Sequence, residues 1–447
     1  MRRREFTAGL GSVRFGQFLA VRWRRGRVVA YHYALFLIVL AFSISGWSAK
    51  VSAAAPMCAA RFPFGYDEPE RQGVDPQRLL ELTRWIRENP APILSLTISR
   101  NGKILYELYS SRVDRNAAHY LMSVTKSVTS ALVGAAMDRH LVRAADSKVA
   151  ENLPTAVFPS MEALKRFQGI TVKDVLGMSA LDAQLSPHQK TPEAIDRSNR
   201  FSRSPNRLSF ALEQPTLARI GKDFQYTDVT PIIAAGMVQY ATRQTLLDFG
   251  KTALFDPMGF ENEEWMHQDR SGFDNASYGL RMRPVDMQKF GILFLNRGCW
   301  EGQQLISPGW VSTSFAPWIK SKPDIREANY GWYWWADRLA SGWVGHTANG
   351  WKGQRITVVP DKGIVVTMTA IVEDGTADRL YADLVNRFIV PAVETRRSAS
   401  APTSDVKTRL EIALADIWMN KTVIGPNTEV RMVPSTAPKE RHEEFHD

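Results

Sequence analysis

The sequence predicts an α+β fold in which an antiparallel sheet is flanked by helices and carries an inserted helical subdomain. Two hairpin patterns, one towards each end of the domain, are the main indication. Residues 93–109 are rich in β-prone residues around the turn signal Asn101-Gly102, and residues 354–372 repeat the pattern around Asp361-Lys-Gly363. The sequence between the hairpins is mostly helical in pattern. We therefore expect strands from both ends to share one sheet, with a functional groove between that sheet and the subdomain.

Three further segments can be assigned from their composition. Residues 182–216 are polar and rich in Pro and Ser, which predicts a lid or rim loop beside the groove. Residues 377–393 predict a final helix that packs on the sheet. Residues 396–447 are polar, and we expect a loosely ordered tail with one weak helix near 408–419.

The formal net charge of +10 over 447 residues is concentrated at the N-terminus. Residues 1–55 carry eight arginines and Lys50 against Glu5, so the rest of the chain has a net charge of only about +2. A basic pI that comes from a leader is no argument for a basic binding face. No nucleic-acid partner is therefore expected.

The N-terminal region has the pattern of an export or anchor segment. Residues 28–49 contain no Asp, Glu, Lys or Arg, arginines precede them, and the small-residue stretch Ser52-Ala-Ala-Ala55 follows. The wholly apolar centre is short for a membrane-spanning helix, whereas the full uncharged run is long enough to span. We interpret residues 1–55 as a signal peptide or a membrane anchor. The protein is then periplasmic or secreted, or held at the inner membrane through residues 28–49.

Two cysteines and one metal-like motif bear on redox and metal chemistry. Cys58 and Cys299 lie far apart in sequence, and a disulfide formed after export and two free buried thiols fit equally well. Residues 442–446 formally match the zinc-hydrolase pattern H-E-x-x-H, but they lie in a charged tail with no obvious third ligand. We predict neither a metal nor an organic cofactor.

A serine and a lysine at helical spacing are the strongest chemical signal. Ser123-Val-Thr-Lys126 stands where residues 119–134 become helical, and residues three apart share one face of a helix. A free serine hydroxyl is a weak nucleophile, and a partly desolvated amine can activate it. The flanking residues are apolar, which predicts a buried helix, and a lysine in a buried helix needs a functional reason.

Two further motifs follow along the chain. With Ser123–Lys126 as the first motif, the second is Tyr226-Thr-Asp228, and the third is His346-Thr347-Ala348-Asn349, after the aromatic run 330–335. Five tryptophans near the third motif either pack against the sheet or form a hydrophobic substrate wall. They are Trp332, Trp334, Trp335, Trp343 and Trp351.

The order of these three motifs resembles the serine β-lactamase and penicillin-recognising family, in its class C and esterase branch, and within it the 6-aminohexanoate-dimer hydrolase-like group. Connecting segments at 170–179, 254–259, 280–291 and 353–360 resemble the elements that link the motifs in that family. The resemblance covers residues 62–395. It implies a β-lactamase-like serine hydrolase domain without a cofactor, preceded by the leader 1–55 and followed by the tail 396–447.

The resemblance also implies roles for individual residues. Ser123 would be the nucleophile that carries the acyl group, and Lys126 and Tyr226 would share the proton transfers. The N–H group of Ser123 and one from the strand near Ala348 or Asn349 would form the oxyanion hole. The other positions expected to bind substrate or the oxyanion are Asp228, His346 and Thr347.

Three positions depart from the family pattern. Asp228 stands where asparagine is usual, His346 replaces lysine, and Ala348 replaces glycine. A neutral histidine attracts a substrate carboxylate less than lysine does, and Asp228 would repel it, which argues against a dedicated penicillin hydrolase. Asp228 would also raise the pKa of Lys126. Whether Lys126 or Tyr226 is the operative base therefore stays open.

Two functions are compatible with these motifs. The first is an exported serine hydrolase that acts on a small-molecule ester or linear amide. The alternative is a membrane-tethered binding module with weak catalysis, or a D-Ala-D-Ala peptidase-like protein, acting on cell-wall fragments. The intact set Ser123, Lys126 and Tyr226 favours the enzyme.

Overall fold

The computed structural model describes residues 57–89, 91–110, 113–183, 191–320, 329–372, 375–394 and 404–420. The predicted leader 1–55 and the H-E-x-x-H match at 442–446 lie outside these residues. Strands in the described part, in chain order, are β1 (Gly65–Tyr66), β2 (Ile93–Arg100), β3 (Lys103–Tyr109), β4 (His119–Tyr120), β5 (Glu264–Trp265), β6 (Leu280–Met282), β7 (Cys299–Trp300), β8 (Gln303–Gln304), β9 (Ile319–Lys320), β10 (Asn329–Tyr330), β11 (Trp335–Arg338), β12 (Val344–Gly350), β13 (Gln354–Val359) and β14 (Ile364–Ala370).

The α-helices of the described residues surround the strands. They are α1 (Pro76–Glu88), α2 (Val124–Asp138), α3 (Met161–Phe167), α4 (Val172–Leu176), α5 (Pro192–Arg203), α6 (Arg207–Glu213), α7 (Thr230–Thr242), α8 (Leu246–Gly250), α9 (Pro284–Leu295), α10 (Pro308–Phe315), α11 (Thr376–Leu384), α12 (Val390–Glu394) and α13 (Ser404–Asn420). π-helical turns at Lys251–Phe255 and Val385–Ile389 extend α8 and join α11 to α12.

The main sheet joins strands from both ends of the domain, as predicted. Its order is β1-β3-β2-β14-β13-β12-β11-β10-β9. Both predicted hairpins are present, and Asn101 and Gly102 have the positive φ angles, 51° and 77°, that a tight hairpin turn of this kind requires. Pairing of β14 with β2 closes the sheet between the two hairpins. The two-residue β1 pairs parallel with β3, so the sheet is mixed at one edge and antiparallel elsewhere.

Each face of the sheet supports its own hydrophobic core, because successive side chains of a strand point to opposite faces. Ile356 and Val365 lie in the core shared with the helical subdomain between β3 and β11. Val359, Val366 and Met368 lie in the second core, with α1 and the C-terminal helices. The helix predicted over 377–393 is present and packs in that second core.

The structure corrects two predictions, one for a loop and one for the tail. Within 182–216, predicted as a lid or rim loop, the chain forms α5 and α6, and Leu181 pairs with Thr216 where the segment leaves and rejoins the domain. The sequence did not predict these helices, because their exposed faces are charged and make the segment polar overall. The weak helix predicted near 408–419 corresponds to α13, which buries Leu410 and Ile417 in the second core. That part of the predicted tail is therefore docked on the domain and is not loosely ordered.

The two cysteines form a disulfide, which decides between the two alternatives left open by the sequence. Cys58 and Cys299 are bonded, with their Cα atoms 6.0 Å apart. The backbone N–H of Cys58 also donates to the carbonyl of Gly302 at 2.9 Å. The beginning of the described chain is thus attached to the β7–β8 hairpin. Within the described residues we find no helix that is both long and apolar enough to cross a membrane.

Candidate active site

The start of α2 places the predicted Ser–Lys pair in contact. Ser123 is the residue before the first helical turn, and Lys126 follows one turn later with a side chain that is 1% exposed. Lys126 Nζ donates to Ser123 Oγ at 2.8 Å. Met122, immediately before the serine, has a φ of 48°, a strained conformation for a side-chain-bearing residue and one that recurs at functional sites.

Three oxygens surround the Lys126 ammonium. Besides Ser123 Oγ, it donates to Asp228 Oδ1 at 2.6 Å and to the carbonyl of Ser277 at 3.1 Å. An ammonium group has three N–H donors, so these three bonds satisfy it completely. The cost of burying this charge is offset by a hydrogen-bonded ion pair, as buried charges require.

The electrostatics of this cluster favour the charged form of the lysine. Burial by itself would lower the pKa of Lys126, but the Asp228 carboxylate, with a further contribution from Tyr226, more than offsets that effect and raises the pKa above its ordinary value. The sequence prediction that Asp228 raises the pKa of Lys126 agrees with this direction.

The loop before α7 carries Tyr226 and Asp228 to the lysine. The Tyr226 ring centroid lies 5.0 Å from Lys126 Nζ, and the tyrosine is largely buried. Ser277 holds the loop from the other side, because its hydroxyl donates to the backbone carbonyl of Asp228. The structure thus brings together four of the predicted residues: Ser123, Lys126, Tyr226 and Asp228.

Aromatic rings form one wall of this cluster. Trp335 stacks on Tyr226 with ring centroids 5.7 Å apart, and Tyr330 meets Trp335 edge-on at 4.7 Å. The other tryptophans of the predicted cluster have different surroundings. Trp332 and Trp334 are buried in the core of the helical subdomain, Trp343 lies in the second core, and Trp351 is exposed. Trp335 is therefore the one of the five whose described ring contacts reach the candidate site.

The end of β12 approaches the serine closely. A side chain at Gly350 would come within 2.4 Å of the Leu121 carbonyl, so only glycine fits against the segment that leads into Ser123. Pairing of β12 with β11 ends at Thr347, whereas pairing with β13 continues through Ala348 and Asn349. Ala348 and Asn349 therefore come after the last residue of β12 that pairs with β11. This end of the strand lies near the beginning of α2.

The other residues of the third motif point into the protein. Thr347 is buried, and its hydroxyl lies 3.0 Å from that of Thr357. His346 stacks on Phe315 with centroids 4.0 Å apart, and its buried Nδ1 has no hydrogen-bond partner among the described residues. Burial lowers the pKa of His346 to about 4, although Asp337 and Asp361 oppose the shift, so the ring is neutral at neutral pH. Its described contacts do not include Ser123, Lys126, Tyr226 or Asp228.

The sequence did not identify two residues that contact the predicted motifs, Ser277 and Phe315. Ser277 supplies a backbone carbonyl to Lys126 and a hydroxyl to Asp228, and a carbonyl acceptor leaves no trace in a sequence. Phe315, which fixes the ring plane of His346, lies at the end of α10, more than thirty residues before it in the chain. The described residues also contain no group of three or more His, Cys, Asp or Glu side chains placed to hold a metal ion.

The fold and this cluster define a class of protein. A serine in contact with a buried lysine at the start of a helix, beside a large sheet and a helical subdomain, is the arrangement of an enzyme with the serine hydrolase fold. The chain belongs to the β-lactamase family, whose family model matches residues 82–389.

Individual relatives are distant. Over 286 residues, which cover 60% of this chain and 70% of the relative, the chain is 23% identical to the 6-aminohexanoate-dimer hydrolase of Paenarthrobacter ureafaciens. The structure is similar to a mutant of simvastatin synthase from Aspergillus terreus, with a TM-score of 0.52 and 18% identity over 70% of this chain and 97% of that one. It is also similar to the octameric penicillin-binding protein homologue from Pyrococcus abyssi, with a TM-score of 0.52 and 15% identity over 70% and 76% of the two chains. At these identities the structural likeness concerns the fold.

Proposed function

We propose that this protein is an exported serine hydrolase that cleaves a small ester or linear amide through an acyl-enzyme on Ser123. One observation carries the proposal. The buried Lys126 ammonium lies 2.8 Å from Ser123 Oγ at the beginning of α2, so a nucleophile and a proton-transfer group meet at a helix N-terminus.

In the first half of the reaction Ser123 Oγ attacks the carbonyl carbon while its proton passes to the Lys126–Tyr226 pair. The pair then returns that proton to the departing alkoxide or amine, and the acyl group stays on Ser123. In the second half a water molecule gives a proton to the same pair and attacks the acyl carbon. The carboxylic acid leaves, and Ser123 regains its proton.

We assign the acceptor role within the pair to the hydroxyl oxygen of Tyr226. Lys126 holds its own proton firmly, because Asp228 pairs with it and raises its pKa. The ammonium would then orient Ser123 Oγ through the bond that it donates to it. The oxyanion of the tetrahedral intermediate would be bound by the N–H of Ser123 and by an N–H of Ala348 or Asn349 at the end of β12.

The charges around Ser123 support uncharged substrates over carboxylates. His346 is neutral at neutral pH, and the second charged group beside Lys126 is a carboxylate, Asp228. Among the described residues, the cation bonded to Ser123 is Lys126, and it is already paired with Asp228. The aromatic wall of Tyr226 and Trp335 suits an apolar substrate portion.

Export is supported by two features of the N-terminal part. The uncharged run 28–49 follows a cluster of arginines, and Cys58 is bonded to Cys299. Disulfides persist in oxidising compartments such as the periplasm and the extracellular space. We therefore place the enzyme outside the cytoplasm, with residues 1–55 as a signal peptide or an inner-membrane anchor.

Covalent labelling tests the proposal. A fluorophosphonate probe should label the wild-type protein, and Ser123→Ala should abolish labelling and lower ester hydrolysis by several orders of magnitude. Ser312→Ala is a matched control, because Ser312 is an exposed serine of α10. Undiminished labelling or hydrolysis in Ser123→Ala would refute the proposed function.

A further inference from the structure

The Asp228 carboxylate is paired on one oxygen only. Oδ1 accepts the bond from Lys126, whereas Oδ2 has no hydrogen bond from any described residue. The Asp228 side chain is 16% exposed, while its lysine partner is 1% exposed. The carboxylate end of the ion pair is therefore more exposed than the lysine end, and its Oδ2 has no donor among the described residues.

An ionised carboxylate oxygen can only accept hydrogen bonds, whereas the asparagine usual at this position in the family would also present an N–H₂ donor. The exposed group beside Ser123 is therefore complementary to a donor on the substrate. Among the described residues no cation other than Lys126 pairs with Asp228, so no second protein charge competes for Oδ2. A protonated amine is the donor that a carboxylate binds most strongly.

The position of Oδ2 limits where that amine can be. Asp228 Oδ1 and Ser123 Oγ both contact the Lys126 ammonium, at 2.6 and 2.8 Å. A carbonyl carbon bound to Ser123 Oγ then lies close to the carboxylate in space. The amine must be attached close to the carbonyl, and the carbon next to the carbonyl is the nearest position.

The neighbouring rings suit the same group. The Tyr226 ring already lies 5.0 Å from one ammonium, that of Lys126, and Trp335 stacks behind it. Aromatic faces attract cations and apolar groups but not anions. An α-ammonium with an apolar side chain would therefore find a carboxylate and an aromatic wall within one site.

We infer that Asp228 Oδ2 binds a protonated α-amine on the acyl part of the substrate, so that the preferred substrates are esters or amides of amino acids with a free amino group. This inference rests on the proposed function of Ser123.

Three methyl esters that share one leaving group test the inference. They are leucine methyl ester, in both enantiomers, 4-methylpentanoic acid methyl ester, which lacks the amine, and N-acetylleucine methyl ester, which lacks the charge. At neutral pH, with hydrolysis followed by proton release, we expect kcat/KM of the better leucine enantiomer to exceed that of each uncharged ester about tenfold. In Asp228→Asn the ratio should fall towards one. The ratio is taken within each variant, so a general loss of activity cancels.

A second measurement needs no variant. Isobutylammonium should inhibit hydrolysis of the 4-methylpentanoic ester by the wild-type enzyme at concentrations about tenfold lower than isobutanol does. Equal inhibition, a wild-type ester ratio near one, or a ratio unchanged in Asp228→Asn would overturn the inference while the uncharged ester is still hydrolysed. Loss of both labelling and hydrolysis of every ester would instead refute the proposed function, and the inference with it.

Discussion

Asp228 Oδ1 lies 2.6 Å from the Nζ atom of Lys126, and this ion pair stands directly behind the candidate nucleophile. The carboxylate supplies most of what keeps the buried lysine charged. In the proposed mechanism, a lysine that stays charged does not act as the base. The protonation state of the Lys126–Tyr226 pair should therefore depend on residue 228.

Replacement of Asp228 by asparagine should shift the pH dependence of activity to lower pH. The carboxylate raises the pKa of Lys126, so without it the Lys126–Tyr226 pair gives up a proton more easily. The midpoint of the limb of the kcat/KM profile that reports proton loss from the Lys126–Tyr226 pair should therefore move to lower pH. Ser123 should still be labelled. The measurement is a pH–rate profile for a short p-nitrophenyl ester.

Asp223→Asn is the control for that profile. Asp223 is a nearby carboxylate that pairs with the exposed Arg219 and has no described bond to Lys126. An Asp228→Asn profile that coincides with that of the wild type would mean that residue 228 does not control the pair in solution.

The enzyme should prefer esters and linear amides to β-lactams. No lysine stands in the third motif, His346 is neutral, and Asp228 repels the carboxylate that β-lactam substrates carry. We expect kcat/KM for a short p-nitrophenyl ester to exceed that for a chromogenic cephalosporin by at least about tenfold, which corresponds to about 1.4 kcal/mol. A preference for the cephalosporin would contradict this expectation.

The two hairpins and the Ser–Lys pair could be predicted because each depends on residues close in sequence. Asn101-Gly102 determines its own turn, and Ser123 and Lys126 meet because a helix brings residues three apart together. The contact of Asp228 with Lys126 spans 102 residues, and only the family resemblance placed it.

The remaining features depend on contacts that a sequence pattern does not encode. The Ser277 carbonyl at Lys126 and the Phe315 ring on His346 arise from how distant segments pack. Among the described side chains of α13, the two that are buried are Leu410 and Ile417. So short an apolar stripe in a polar segment is a weak signal for a packed helix. That α13 packs on the domain follows only from the folded structure, in which Leu410 and Ile417 belong to the second core.

Loss of the disulfide should destabilise the protein. Cys58 and Cys299 are separated by 241 residues, and a cross-link over a long loop restricts the unfolded chain strongly. The double variant Cys58→Ser with Cys299→Ser should lose about 2–5 kcal/mol of unfolding free energy in urea titrations. Added reductant should lower the stability of the wild type by a similar amount and leave the variant unchanged. Equal stability of oxidised wild type and variant would show that the cross-link contributes little.

Acid sensitivity of the fold should depend on His119. Its side chain is buried, Nδ1 lies 2.8 Å from the hydroxyl of Thr369, and Nε2 has no partner among the described residues. Burial, with a smaller contribution from Arg281, lowers the pKa of His119 to about 4. In the unfolded chain a histidine titrates near pH 6.5, so between these values the unfolded state binds more protons than the folded state. The stabilising contribution is therefore fully present above about pH 6.5 and is lost as the pH falls towards 4.

His119→Asn should reduce that loss, because an asparagine keeps a polar group near the Nδ1 position and does not titrate. Between pH 7.5 and 4.5 the wild type should lose about 2–3 kcal/mol more unfolding free energy than the variant. His140→Asn is the matched control, since His140 is exposed and its φ of 57° is one that asparagine tolerates. Urea titrations at the two pH values measure the difference. Equal losses in wild type and His119→Asn would mean that the buried imidazole is not the group that takes up the proton.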